Sequence, residues 1–227
     1  MNPIARAFSF TLFPVILLAS CAGNAPEQQA PASSTPTPDT IRFEPASKQG
    51  ASTYAVTNAT VFWSAKRALG PAHIGTINVS GGELQVNQGQ LVGGRITIDM
   101  ASIAVTNMDD PGEKATLESH LKDKDFFEVK KFPAATFEIT EVLPSSQPAF
   151  NWVVRGNLTI RDKSQPVNVP VHMTITGEKL HAESVTFVIN RTQWGITFRS
   201  GLLGTAKDKV VEDVVPLSLK LDAAIKN

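Results

Sequence analysis

The groups able to do chemistry are few, and their spacing argues against most of it. Histidines stand at 73, 120, 172 and 181, and no H-x-x-x-H or histidine–carboxylate spacing sets two of them on one face as metal ligands. Ser119 and His120, with Asp109 or Asp110 upstream, supply the residue types of a hydrolytic triad. A serine and a histidine adjacent on a helix point apart, however, and no G-x-S-x-G turn is present to raise a nucleophile. Cys21 is the only cysteine, so no disulfide forms within the chain and thiolate-rich metal sites are excluded. Lys+Arg and Asp+Glu are both 21, a formal net charge of zero with no basic run or acidic tail, which argues against nucleic acid as a partner. The expectation is a non-enzymatic chain with no metal and no catalytic cofactor.

Cys21 has a different use. Residues 1–20 read as a secretory signal peptide, with Arg6 as the positive segment and Phe8 to Leu18 as the apolar one. At about ten residues that apolar run is too short to cross a ~30 Å hydrocarbon core. Leu18, Ala19, Ser20 and Cys21 follow and resemble a bacterial lipobox, whose cysteine thiol receives a diacylglyceryl group. Several acyl chains anchor stably where one is marginal. The chain is therefore expected at the bacterial cell envelope, lipid-anchored through Cys21 and facing the periplasm. Ala22, standing where an aspartate would retain the protein, favours the outer membrane over the inner. Residues 21–47 carry four prolines between positions 26 and 38 in small polar company, which predicts a disordered linker.

Residues 48–227 must supply the fold, and about 180 residues suit one domain with a sizeable core. Their pattern is period two, punctuated by turn residues. Strands are expected over 52–58, 60–66, 74–80, 83–86, 90–100, 134–142, 152–160, 167–175, 184–190 and 214–223. The spacing predicts an all-β, mainly antiparallel barrel or sandwich. One interruption, around residues 113–127, has Leu117 and Leu121 at i, i+4 and reads as a short helical insert packed over the sheet.

In order along the domain, the segments His73 to Gly75, Gly93 to Ile103 and Leu117 to Phe137 resemble the YceI-like family of exported lipid- or polyisoprenoid-binding proteins. The central run H-L-x-x-x-D-F-F-x-V-x-x-[FY]-P spans His120 to Pro133 and is long and chemically mixed. Gly156 to Val167 is similar to the family's G-x-L-T-[IL]-x-G-x-T-x-P-V strand pair, with Asp162 and Ser164 in place of its Gly and Thr. Arg191 to Ser200 matches its late motif. The resemblance implies a lipocalin-like, eight-stranded up-and-down barrel with an elongated apolar cavity. In that family the cavity can hold a long-chain isoprenoid, of quinone type in some members, as ligand; members can also pair, so a homodimer is compatible with it.

Inward apolar residues serve a packed core and a hollow barrel alike, so the residues alone leave both open, and the resemblance favours the cavity. Its expected wall is Trp63, Ile98, Phe126, Phe127, Phe137, Leu158, Phe187, Trp194 and Phe198, with glycines at 75, 93, 94, 156 and 195 allowing bends and close approach. A ligand head group at the mouth would need polar partners, for which His73, Arg95, His120 and Arg191 are the candidates. The competing reading is a structural or stress-related envelope module with a solidly packed barrel and no lipid ligand.

Overall fold

Valine, isoleucine, threonine and aromatic side chains at period two form extended backbone wherever one face can be buried. A computed structural model describes residues 47–226; the signal segment, Cys21 and all but the last residue of the expected linker lie outside the described residues. Within them the chain forms β1 (Ser52–Lys66), β2 (Ala72–Asn87), β3 (Gln90–Asp99), β4 (Ala104–Val105), α1 (Pro111–Lys122), β5 (Ala134–Pro144), β6 (Trp152–Ile160), β7 (Lys163–Thr176), β8 (Lys179–Ser184), β9 (Phe187–Asn190) and β10 (Val214–Ile225).

Strands β1, β2, β3, β5, β6, β7, β8 and β10 are hydrogen-bonded in that order, each antiparallel to the next, and β1 pairs with both β2 and β10. This closes an eight-stranded up-and-down barrel, which leaves no long sheet edge unpaired. The two short strands lie off that ring, β4 on β2 and β9 on β10. Alternation fills the interior: Val167, Val169, Val171 and Met173 of β7 are buried, while Asn168 and His172 between them and Thr174 after them are exposed. His181 of β8 is exposed likewise.

Three of the expected strand boundaries differ in the structure. The two strands expected over 52–66 are one, because a register shift between Val56 and Asn58 absorbs the extra residue and lets β1 bend with the barrel. The strands expected at 74–80 and 83–86 also run together, through Gly81 and Gly82. A Cβ at Gly82 would lie 2.8 Å from the Arg95 carbonyl oxygen and 3.1 Å from Ile96 Cα, so the glycine permits a close backbone approach that the pattern reads as a turn. The strand expected at 184–190 is displaced: β8 occupies 179–184 with Leu180 and Ala182 inward, and only 187–190 continues as β9.

The helical insert starts earlier and is shorter than 113–127. Asp110 caps α1 by accepting a hydrogen bond from the Glu113 amide, and Pro111 fits the first turn, where its missing N–H costs nothing. Leu121 is buried and Leu117 half-buried against the barrel. After Lys122 the chain leaves the helix in tight turns, with Asp123 accepting the Phe126 and Glu128 amides and Glu128 at a positive φ of 48°.

Candidate functional site

The interior holds two apolar cavities in line with an open cleft. One, about 100 Å³, lies among inward side chains of the strands and has Phe137, Phe187, Leu158 and Ile98 in its wall. A second, about 110 Å³, lies between the barrel and the insert, lined by Trp63, Phe126 and Phe127 among others. The first two share Val61, Ile98, Leu158 and Leu217. The cleft, about 680 Å³, opens at the barrel end under α1 and shares Trp63, Ala65, Leu121, Phe126 and Val211 with the second. Eight of the nine expected wall residues therefore line one continuous succession, since Phe198 faces the cleft.

Trp194 is the exception. It is 1% exposed, lines none of these three spaces, and donates from Nε1 to the Leu158 carbonyl at 2.9 Å. It fastens the short turn at Arg191–Trp194 to β6. Its neighbour Arg191, a head-group candidate, is 5% exposed and is likewise committed. Its guanidinium donates to the carbonyls of Glu212, Ile196 and Val211 at 3.1, 2.9 and 2.9 Å and to Asp213 Oδ1 at 3.0 Å. Burial pulls this guanidinium below its ordinary pKa and Asp213 opposes the shift. The side chain is a strap holding the loop before β10, although its stem borders the second cavity. Arg95 is exposed on the outer face of β3, in register with Glu83 and Glu138, and stands away from the mouth.

His73 and His120 do meet at the cleft. His120 packs edge-on against Phe126 at 5.1 Å and Phe198 at 4.9 Å, and the two phenyl rings are 5.3 Å apart. Its Nε2 lies 3.4 Å from Asp125 Oδ2, a partly exposed pairing. All three rings line the cleft, and Phe126 also lines the second cavity. Sequence reasoning missed Lys66, Arg67 and Arg199, which also line the cleft together with Asp110 and Glu113. Arg199 lies over the Phe198 ring at 5.1 Å. The signal for Lys66 and Arg67 was their place at the end of an expected strand, next to a turn.

The mouth is held in shape by contacts distant in sequence. Glu118 of α1 accepts from the Val105 amide at 2.8 Å, and Asn107 bridges Ile74 and Ala72, so the segment after β4 binds the end of β2. Arg161 pairs with Glu128 at 2.9 Å, tying the insert to the β6–β7 turn. Trp63 lies against Gly75, where a Cβ would be 2.5 Å from the indole Cζ2. That contact explains the glycine of the His73–Gly75 segment. Ser119 and His120 form no triad: the carboxylate near His120 is Asp125, and Asp110 is engaged as the helix cap.

The family described as YceI-like domain matches residues 53–223. A UPF0312 protein of Yersinia enterocolitica is 32% identical over 79 residues, which cover 35% of this chain and 40% of that protein. A Yersinia pestis UPF0312 protein is 33% identical over the same extent, so the matched region spans about two-fifths of these relatives' length. Among solved structures, BcnA of Burkholderia cenocepacia superposes with a TM-score of 0.56 at 23% identity, covering 73% of this chain and 96% of that one. A structure described as a polyisoprenoid binding domain from Saccharophagus degradans gives 0.53 at 12% identity, covering 76% and 98%. At these identities the likeness is one of fold.

Proposed function

Because the chain belongs to the YceI-like domain family, we propose that its barrel binds a long apolar lipid of isoprenoid type, with the tail in the succession of cavities and the head group in the cleft. The observation that carries this reading is that two mainly apolar cavities share wall residues with each other and the second with a cleft, and that the cleft alone of the three is lined by His73, His120, Arg67 and Arg199. The description of the Saccharophagus degradans domain supports the ligand class. Burying apolar carbon contributes roughly 0.8 kcal/mol per CH₂, or about 3 kcal/mol gross per isoprene unit. Several units then exceed an association cost of about 4–15 kcal/mol without directional recognition of the tail.

The size of the inner cavities favours the rival reading of a packed envelope module. Each is near 100 Å³, whereas ligand pockets are typically about 300–1,000 Å³. An occupant of the barrel must therefore displace side chains at the neck formed by Val61, Ile98, Leu158 and Leu217. Lipid anchoring through Cys21 at the cell envelope, outer membrane before inner, is part of the proposal and would keep the barrel within reach of isoprenoid-bearing bilayers. The test is organic extraction of the purified protein followed by mass spectrometry, with uptake of added isoprenoid alcohols and quinones measured alongside. A co-purifying or stoichiometrically bound isoprenoid is expected. A barrel that neither carries nor takes up any such lipid overturns the reading in favour of the packed module.

A further inference from the structure

Three large apolar side chains near the cleft point into solvent, and they lie on two loops that touch. Leu69, 67% exposed, is in the β1–β2 turn; Leu202 and Leu203, 75% and 67% exposed, are in the connection from β9 to β10. The Ala68 amide donates to the Val210 carbonyl at 2.9 Å, and Arg67 pairs with Val211. A Cβ at Gly201 would lie 3.6 Å from the Val210 side chain, so the segment carrying the two leucines packs beside the loop residues that meet the β1–β2 turn. Exposed leucines occurring singly are ordinary; three on adjoining loop tips form a patch.

The same two segments, 66–69 and 199–212, carry five basic side chains, Lys66, Arg67, Arg199, Lys207 and Lys209, against two acidic, Asp208 and Glu212, and Asp110 and Glu113 face the cleft nearby. All five basic residues are exposed. None is ion-paired among the described residues. The chain as a whole is balanced at 21 against 21, so the excess is local and is made by folding. Lys66, Arg67 and Arg199 also line the cleft, which joins the patch to the opening of the cavities.

We propose that this face docks on a bilayer containing anionic phospholipid, its leucines entering the interface and its five cations lying at the level of the phosphates. Protruding apolar tips need a complementary hollow to bind a protein, but a fluid interface conforms to them, and flanking unpaired cations match an anionic surface. The docking sets the cleft against the membrane, the direction from which an apolar ligand would arrive. It stands whether or not the cavities hold a lipid, and it needs no acyl anchor.

The test uses the processed chain, residues 21–227 bearing Cys21→Ser, so that neither the apolar signal segment nor acylation contributes, in sedimentation with phosphatidylcholine vesicles containing about 30 mol% phosphatidylglycerol or none. The parent is expected to bind the anionic vesicles more tightly and to be released as salt rises from roughly 0.02 to 0.5 M. Leu202→Ser with Leu203→Ser should weaken partitioning about tenfold or more on both compositions. Lys207→Gln with Lys209→Gln should weaken it about twenty-five-fold, on anionic vesicles alone, at about fivefold per cation. Both pairs change exposed loop residues, and unchanged melting of each shows that the fold is intact. Equal partitioning of parent and both variants overturns the proposal. So does a parent that light scattering shows to be a dimer, made monomeric by the leucine substitutions while vesicle binding is unaltered; the patch would then bind a second copy. Lipid extraction from the same preparations reads the cavity independently of the docking.

Discussion

Leu158→Ala acts at the neck between the two inner cavities, because Leu158 lines both and is buried at 7% exposure. Leucine-to-alanine changes in cores cost about 2.7–5 kcal/mol, rising with the volume left empty. Leu158 already faces unfilled space on two sides, so it makes fewer contacts than a leucine packed all round, and the lower end, about 3 kcal/mol, is expected. The Trp194 indole bonds to the backbone carbonyl of residue 158, so that fastening survives the substitution. For a domain of this size 1 kcal/mol moves the melting temperature by about 2–4 °C, which gives a fall of about 6–12 °C by circular dichroism. If the neck is the tail path, a long isoprenoid at about a hundred times its Kd should restore about 2.7 kcal/mol to parent and variant alike. Leu158→Phe is the converse change. It fills the neck at a cost of about 1–3 kcal/mol and should abolish the ligand-induced rise. The reasoning is refuted if Leu158→Phe retains the full ligand shift, or if Leu158→Ala melts within a degree of the parent.

Arg191→Met should destabilise by about 3–5 kcal/mol, since it strands Asp213 and three carbonyls that the guanidinium satisfies. Urea denaturation with ligand binding measured on the folded fraction checks this, and a head-group role would instead show as weakened binding at unchanged stability. Cys21→Ser should abolish acyl labelling in cells and shift the protein from the membrane to the soluble periplasmic fraction, and unchanged membrane retention would show that another feature holds it there.

Much of the barrel was legible because alternation is a local property. In β7 each of Val167, Val169, Val171 and Met173 is an inward residue separated by an outward one, and in α1 the Leu117–Leu121 spacing marked a one-sided helix, whereas its start at Pro111 and the Asp110 cap were not read from the sequence. Where backbones approach closely, the local signal misleads. Gly81 and Gly82 look like the end of a strand and lie within β2, and the brief alternation of Leu180 and Ala182 in β8 is too short to stand out.

The functional residues divide in the same way. That Phe137 turns toward the interior follows from its type and its phase along β5, and the sequence by itself determined that; Phe126 and Phe127, in the turns after α1, are brought there by the tertiary fold. Whether an arginine is a free cation or a strap depends on what lies opposite it, and only the tertiary structure decided it. Arg191 and Arg199 are eight positions apart in one motif, yet one is enclosed by four acceptors and the other lies exposed over Phe198 at the cleft. The gathering of five cations and three leucines was also beyond the sequence, because their two segments are more than a hundred residues apart and are joined by backbone pairing of 66–68 with 210–212. Charge and apolar surface act by proximity in space, and chain position records that proximity only within an element.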